Sequence, residues 1–229
     1  MPLVRVSISS VWADLQQEIA TELLSKAELH SLEAGATLFE AGDAAEGCYR
    51  LDKGVLKVSL ASPQGGERII ALLKAGSIVG DLAMIDGLPR SAWITALTDC
   101  NLRYISRESF ASCARRHPKF HEFLVKLLAH RLRETDDTIA ALAFLTAKGR
   151  VAYALLELAD ALGEKSASGR VTIPQMISQK DLAALAGVAR ENTNRILRNW
   201  QRQKLIVKSA KTYQIDDIRK LEREVDWEE

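Results

Sequence analysis

The residues best suited to chemistry lie between Ser178 and Lys211, where charged and amide side chains recur at helical spacing. The set that falls on one predicted helix face is Arg190, Glu191, Asn194, Arg195 and Arg198. Arginine can donate two hydrogen bonds to guanine, glutamate can accept one from the cytosine amino group, and asparagine can pair with adenine. These residue types at this spacing predict a helix that reads base edges in the major groove of DNA. The alternative is a solvated helix face whose charged side chains make no contact with DNA.

Two helices joined by a tight turn must position this face. Ser178 can cap the first helix, with Asp181 completing a reciprocal capping box, and Gly187 falls where that helix has to end. The second helix is predicted over about Ala189 to Gln203. Its inward stripe consists of Thr193, Ile196, Leu197 and Trp200. A short β-hairpin follows, and further DNA contacts are predicted at Ser178, Gln179, Lys208 and Lys211.

A second candidate site is the segment Gly80–Ala92, which we call the Gly80–Ala92 loop. A short helical turn after Gly80 offers backbone N–H groups, Arg90 can form a bidentate pair with a phosphate, and Ser91 can add a hydroxyl donor. Asp81 cannot bind an anion, but it can accept a hydrogen bond from a sugar hydroxyl beside that phosphate. The spacing fits a phosphate-binding loop, and it equally fits a loop that contains only a structural Asp–Arg pair.

One long helix is predicted between these two regions, from about Pro118 to Leu145. Residues spaced alternately by four and three along it are Leu124, Leu128, Arg131, Thr135, Thr138, Leu142 and Leu145. This heptad repeat predicts the seam of a parallel two-helix dimer, with polar residues at its centre. The alternative is a helix that packs only against its own chain. A dimer would present two base-reading helices to a two-fold symmetric DNA site.

Glycine usage divides the chain into a β-rich part and a helical part. Nine of the thirteen glycines precede residue 90, where they separate short apolar runs with strand-like alternation. This pattern is typical of antiparallel β structure, whereas the apolar periodicity after residue 118 is helical. The predicted fold class is therefore α+β, with an antiparallel β domain, a long helix and a small winged helical domain. The predicted domain bounds are 1–117, 118–146 and 147–229.

Composition argues against several other classes of protein. The chain has 229 residues and a formal net charge of +1, so any surface that binds nucleic acid must be a local patch. We find no apolar run long enough for a membrane span and predict no signal peptide, so we expect a cytoplasmic protein without a membrane partner. Cys48, Cys100 and Cys113 lack metal-binding spacing and are expected to be free thiols. A nucleotide-processing enzyme is disfavoured, because no nucleophile–base pair, metal cluster or Walker-type loop is apparent.

Two further motifs join the Gly80–Ala92 loop to complete the pattern. The three motifs together are Gly35-x-x-Leu38-Phe39-x-x-Gly42-Asp43, Gly80-Asp81-Leu82…Pro89-Arg90-Ser91-Ala92 and Leu142-Ala143-Phe144-Leu145…Gly149-Arg150-Val151-Ala152. With these motifs and the helix-turn-helix, the chain from about Leu32 to Ile215 resembles the cyclic-AMP receptor protein and fumarate–nitrate regulator family of bacterial transcription factors. The resemblance implies an N-terminal antiparallel β-roll with a phosphate-binding loop, a long dimerisation helix and a C-terminal winged helix-turn-helix. The implied partners are double-stranded DNA, a second copy of the chain and RNA polymerase.

The resemblance also implies roles for single residues. Nucleotide contacts are implied at Gly80, Asp81, Leu82, Ala83, Arg90, Ser91, Ala92, Arg131, Thr135 and Asp136. Arg90 and Ser91 would hold a cyclic phosphate, and Thr135 would contact adenine N6. The combination of Arg190, Glu191 and Arg195 implies an inverted-repeat DNA site with TGTGA-like half-sites.

Two positions depart from the nucleotide-binding pattern of this family. Asp81 stands where a longer Glu is usual, which shortens its reach toward a ribose hydroxyl. Asp136 stands where the pattern has a Ser donated by the opposite subunit. Cyclic AMP is the first candidate ligand, while a related cyclic nucleotide, ligand-independent regulation and control by cysteine oxidation stay open. No N-terminal cysteine cluster marks an iron–sulfur site, and neither a haem nor a metal is expected.

Overall fold

The computed structural model describes residues 15–166, 169–174, 177–209, 212–225 and 227. The chain divides into two compact units. The first contains residues 15–60 together with Leu72–Asp137, and the second contains Ala61–Ala71 and the described residues from Thr138 onward. Each unit has its own set of fully buried apolar side chains.

Two four-stranded antiparallel sheets are built from residues 28–106, most of which belong to the first unit. The strands are β1 (Glu28–Leu32), β2 (Thr37–Phe39), β3 (Gly47–Lys53), β4 (Val55–Ala61), β5 (Glu67–Lys74), β6 (Ile78–Val79), β7 (Trp93–Ala96) and β8 (Cys100–Ser106). Their order is β1-β8-β3-β6 in one sheet and β2-β7-β4-β5 in the other. Leu51, Leu56 and Leu102 are fully buried in one apolar cluster, so both sheets contribute to a single core. The predicted antiparallel β domain is confirmed.

Short helices flank these sheets. They are α1 (Gln17–Ser25), α2 (Leu82–Asp86) and α3 (Arg107–Arg116). Ser106 caps α3, because its hydroxyl accepts a hydrogen bond from the backbone N–H of Ser109. Phe110 of α3 packs edge-on against Phe120 with ring centroids 5.2 Å apart, and Phe120 stacks on Phe123 at 6.0 Å. These aromatic contacts fix α3 against the start of the next helix.

That helix, α4, runs from Pro118 to Phe144. Its predicted seam is wrong in one of its two rows, because Leu124 and Leu145 are only 8% and 0% exposed and pack inside their own chain. The exposed apolar row lies one residue further along the helix. Together with the other row of the predicted seam, it forms a stripe spaced alternately by three and four, which we call the α4 stripe: Val125, Leu128, Leu132, Thr135, Ile139 and Leu142.

The second unit combines helices with a small four-stranded sheet. Its elements are α5 (Ala147–Leu162), β9 (Glu164–Lys165), β10 (Val171–Pro174), α6 (Gln179–Ala186), α7 (Arg190–Arg202), β11 (Ile206–Lys208), β12 (Thr212–Ile215) and α8 (Ile218–Glu222). The sheet order is β11-β12-β10-β9. Leu155 of α5, Ile215 of β12 and Leu221 of α8 are fully buried, so helices and sheet share one core.

The predicted helix-turn-helix is confirmed as α6 and α7. Ser178 and Asp181 form the capping box at the start of α6. Gly187 ends α6 with φ of +60°, in the left-handed region that favours glycine, and a Cβ atom there would collide with the Arg68 guanidinium. The buried stripe of α7 consists of Thr193, Leu197 and Trp200, whereas Ile196 is partly exposed.

Candidate functional site

Backbone conformation shapes the Gly80–Ala92 loop. Gly80 has φ of +81°, and a Cβ atom on it would collide with Nη1 of Arg90. Glycine is therefore required here both for its conformation and for the close approach of the arginine. The helix α2 follows, with Ala83 buried and Leu82 partly exposed. At the far end of the loop Ala92 is buried, while the Ser91 side chain is exposed.

The guanidinium of Arg90 lies inside the first unit and is only 7% exposed. Its Nη1 donates to the carbonyl oxygen of Gly80 at 2.8 Å, and its Nη2 donates to the carbonyl oxygen of Gly47 at 2.7 Å. The ring of Phe39 covers it, with Cζ 4.1 Å from the ring centroid. Burial lowers the pKa of Arg90, and the neighbouring Tyr49 opposes that shift. The Nε atom is buried and has no hydrogen-bond partner among the described residues.

Asp81 pairs with an arginine outside the loop. Its side chain is 0% exposed, and its Oδ1 lies 2.8 Å from Nη2 of Arg131 on α4. Arg131 Nη2 also donates to the carbonyl oxygen of Ile78 at 2.8 Å. Burial raises the pKa of Asp81, and the positive charge of Arg131 works in the opposite direction. Although the ion pair is close, neither carboxylate oxygen accepts a well-directed hydrogen bond from the described residues.

The remaining predicted ligand residues lie one turn further along α4. Thr135 and Asp136 are both exposed, and the Thr135 hydroxyl donates to the carbonyl oxygen of Arg131 at 2.9 Å. The structure therefore brings Arg131 to the Gly80–Ala92 loop and leaves Thr135 and Asp136 on the exposed face of α4.

The residue types in this loop fit a ligand that carries both a phosphate and a sugar hydroxyl. Arg90 and Asp81 are a buried cation and a buried carboxylate, and each has polar atoms without hydrogen-bond partners among the described residues. A phosphate would satisfy the arginine, and a hydroxyl donor would satisfy the carboxylate. Arg90 and Ser91 would hold the phosphate, and Asp81 would hold the sugar. Arg90 would then exchange a carbonyl partner for the phosphate.

On α7, the face that was predicted to read bases is mostly exposed. Arg190, Glu191, Arg195 and Arg198 all have exposed side chains. Arg195 is also oriented by its own helix, because its Nη2 donates to Oδ1 of Asn192 at 2.8 Å. Such a bond holds a flexible side chain in one direction before any DNA arrives.

Asn194 behaves differently from its neighbours on α7. It is partly buried, and its Oδ1 atom is inaccessible and lacks a hydrogen-bond partner among the described residues. At helical spacing, Asn194 lies between the exposed face and the buried stripe. A contact from Asn194 to a base would therefore require a change of side-chain conformation.

The predicted phosphate contacts flank α7. The Ser178 hydroxyl accepts from the Asp181 N–H at 3.0 Å and donates to the Asp181 carboxylate at 2.6 Å, so it is already engaged in the cap. Gln179 is partly buried beside Tyr213, whose pKa is raised by burial. Lys208 Nζ lies 5.6 Å from the centroid of the same tyrosine ring. Lys211 lies outside the described residues.

Sequence reasoning missed residues that complete these sites from a distance. The carbonyl of Gly47 and the ring of Phe39 hold Arg90, yet neither carries a chemical signal in the sequence.

At the end of α7, the buried indole of Trp200 donates through Nε1 to Oε2 of Glu224 at 2.8 Å. Lys148 of α5 pairs with that same oxygen at 2.7 Å. Only the folded arrangement brings these residues together.

Other kinds of site receive no support from the described part of the chain. No group of three or more His, Cys, Asp or Glu side chains within it is placed to hold a metal ion. Among the described helices, none is both long and apolar enough to cross a membrane.

Comparison with known proteins agrees with this geometry. Residues 29–117 match the family model for the cyclic nucleotide-binding domain, and residues 149–224 match the Crp-like helix-turn-helix domain. The cAMP-activated global transcriptional regulator CRP of Haemophilus influenzae is 31% identical over 208 residues, which cover 90% of this chain and 92% of the relative. A CRP-like cAMP-activated global transcriptional regulator of Mycobacterium tuberculosis is 29% identical over 189 residues, covering 82% of this chain and 84% of the relative.

Structural comparison gives the same fold. FixK2 from Bradyrhizobium japonicum has a TM-score of 0.75 at 22% identity, covering 87% of this chain and 97% of that chain. The fold and the two sites define a DNA-binding transcription regulator with a cyclic nucleotide-binding domain. The chain belongs to the CRP/FNR family of bacterial transcription regulators.

Proposed function

We propose that this regulator acts as a homodimer whose affinity for an inverted-repeat DNA site is controlled by a cyclic nucleotide, with cyclic AMP the first candidate. The observation that carries the proposal is the ion pair between Asp81 and Arg131. A ligand that engages Asp81 competes with Arg131 for the carboxylate. Binding therefore changes a contact made by α4, the helix that bears the exposed α4 stripe.

In the proposed complex, different residues contact the phosphate, the ribose and the base of the nucleotide. Arg90 and Ser91 hold the cyclic phosphate with help from the backbone of Gly80, and Asp81 accepts from the ribose hydroxyl. The residues that line the loop around the nucleotide are Leu82, Ala83 and Ala92. Arg131 and Thr135 contribute from α4, with Thr135 directed at the base, and Asp136 is contributed by the partner subunit. The buried, unsatisfied atoms of Arg90 and Asp81 support this division.

The α4 stripe supports a second copy of the chain as the partner. Val125, Leu132 and Ile139 are 65%, 63% and 57% exposed, and they recur every seven residues on one helix. Heptad rows of this kind pair with each other in parallel two-stranded coiled coils. Such pairing would set the two α7 helices about one DNA turn apart, at neighbouring half-sites.

On DNA, the exposed end of α7 would carry the specificity. Arg190 and Arg195 are proposed to read guanine and Glu191 to read cytosine in a TGTGA-like half-site, with Asn194 beside them. The proposed phosphate contacts come from Arg198, Ser178, Gln179, Lys208 and Lys211. RNA polymerase is the proposed protein partner at a promoter.

Isothermal titration calorimetry with a panel of cyclic AMP, cyclic GMP and cyclic di-GMP tests the ligand assignment. We expect saturable binding of cyclic AMP at one site per chain, lost in Arg90→Ala. Absence of heat with every member of the panel, from a chain that still binds the inverted repeat tightly, would instead establish ligand-independent regulation. The second candidate is favoured by the fact that Asp81 already has an ion-pair partner in Arg131.

Control by cysteine oxidation is less well supported. Cys48, Cys100 and Cys113 are all buried. Burial raises the pKa of each thiol, in the case of Cys113 to about 11. Because the thiolate is the reactive form, these side chains are poor targets for oxidation in the folded chain.

A further inference from the structure

The α4 stripe assigns a heptad position to every residue of its helix. With Val125, Leu132 and Ile139 at the a positions, the d positions are Leu128, Thr135 and Leu142. Arg131 then occupies a g position and Asp136 an e position. In a parallel two-stranded coiled coil, a g residue of one helix faces the e residue five positions further along the other. Arg131 and Asp136 are separated by five positions and carry opposite charges.

We propose that Arg131 forms an ion pair across the seam with Asp136 of the partner subunit. The pair rests on the homodimer proposed above and would occur twice, once on each side of the two-fold axis. Within α4, whose residues the structure describes throughout, it is the sole g–e pair with complementary charge. The other such pairings join Leu124 to Ala129 and Thr138 to Ala143, and they cannot form ion pairs.

Arg131 can make this contact without giving up Asp81. Only Nη2 of its guanidinium is bound in the contacts to Asp81 and Ile78, and 23% of the Arg131 side chain remains exposed. A guanidinium offers five N–H donors in a planar fork, so a second carboxylate can bind another edge. Asp136 is exposed in the single chain and is free to approach that edge.

The proposed pair gives Asp136 a role that the family pattern does not supply, since that pattern has Ser at this position. Arg131 would connect two carboxylates, Asp81 in its own chain and Asp136 of the partner subunit. A ligand that takes over Asp81 changes how the charge of Arg131 is shared between the nucleotide site and the seam. The strength of the dimer would therefore be coupled directly to occupancy of the Gly80–Ala92 loop.

The test compares dimer dissociation constants by sedimentation equilibrium of the full chain without nucleotide. Asp136→Asn removes the charge, and Asp136→Arg places a cation opposite Arg131. Asp137→Asn is the matched control, because it removes the same charge from the adjacent f position, away from the seam. We expect the dissociation constant to rise about two- to fivefold in Asp136→Asn and about tenfold in Asp136→Arg. The control should stay within about twofold of the wild type.

Salt dependence and folding provide independent readouts. The wild-type dimer should weaken as salt rises, and Asp136→Asn should weaken less, because it has lost a screened charge pair. Thermal unfolding of each variant checks that the substituted chain still folds. A wild-type dimer that responds alike to Asp136→Arg and Asp137→Asn would overturn the ion pair and leave the proposed dimer standing. A wild-type chain that is monomeric at all concentrations would overturn both.

Discussion

Asp81 of the Gly80–Ala92 loop is held by Arg131 of α4 across 2.8 Å, although fifty residues of sequence separate them. The carboxylate is fully buried, whereas the arginine keeps part of its surface exposed. The loop that fits a nucleotide and the helix that carries the α4 stripe therefore share one ion pair. Any group that competes for Asp81 acts on α4 through this contact.

Asp81 should make the stability of the chain depend on pH. Because burial raises its pKa above the ordinary carboxyl value, the folded chain holds this proton more tightly than the unfolded chain. The contribution of Asp81 to the free energy of unfolding should therefore fall as the pH rises through the raised pKa, by about 1.4 kcal/mol for each unit of pKa shift. Urea denaturation of wild type and Asp81→Asn over a pH series measures this difference. Parallel pH curves for the two proteins would contradict it.

Substitutions of Arg90 and Ser91 should differ in their effect on folding stability, although both should weaken nucleotide binding. Arg90→Ala leaves the carbonyls of Gly80 and Gly47 without their donors, which should cost about 1–3 kcal/mol of folding free energy in addition to nucleotide binding. Ser91→Ala removes an exposed hydroxyl, so it should weaken nucleotide binding by about 1 kcal/mol and leave stability unchanged. Calorimetry and urea denaturation on the same samples give both quantities. Equal losses of stability in the two variants would refute the distinction.

Glu224 should stabilise the second unit through the α7 residue Trp200. Glu224→Ala leaves the buried indole N–H without an acceptor, at a cost of about 1–3 kcal/mol. Glu224→Gln keeps an acceptor oxygen and loses only the ion pair with the half-exposed Lys148, which should cost less than about 1 kcal/mol. Urea denaturation followed by tryptophan fluorescence measures the difference. Glu222→Ala, at an exposed position of α8, is the control and should be neutral.

Substitutions at the proposed base-reading residues and at the proposed phosphate contacts should affect DNA binding in different ways. Arg190→Ala and Arg195→Ala should each lose about 1–3 kcal/mol on the inverted repeat and relax the preference at one base pair. Lys208→Ala should weaken specific and random duplexes alike and reduce the salt dependence of binding. Asn192→Ala, which releases the side chain of Arg195, should fall between wild type and Arg195→Ala. Competition titrations with single-base variants of the site provide the measurement.

Local signals explain why the helix-turn-helix was predictable. The cap of α6 lies within four residues at Ser178–Asp181, and Gly187 marks its end by a conformation that other residues avoid. The bounds of α7 differ from the prediction by one residue at each end. The residues of the proposed phosphate-binding site could likewise be named from the sequence, since Arg90 and Asp81 belong to one short loop.

The α4 register could not be read in the same way, because the helix has apolar rows on two sides. Both rows can be combined with Leu128 and Leu142 into a heptad repeat, and only the fold buries Leu124 and leaves Val125 exposed. The ion-pair partner of Asp81 could not be read from the sequence either. The sequence offered Arg90 as the arginine of the same loop, but the Arg90 guanidinium donates to carbonyl oxygens, and Asp81 pairs with Arg131 of α4.

The control of DNA binding by a cyclic nucleotide can be measured by fluorescence anisotropy of a labelled inverted-repeat duplex, titrated with the chain in the presence and absence of cyclic AMP. We expect cyclic AMP to tighten binding to the inverted repeat about tenfold or more. Binding to a scrambled duplex of the same length and composition should stay weak and unchanged. Equal affinity for both duplexes, with and without cyclic AMP, would show that the chain is not a sequence-specific regulator under nucleotide control.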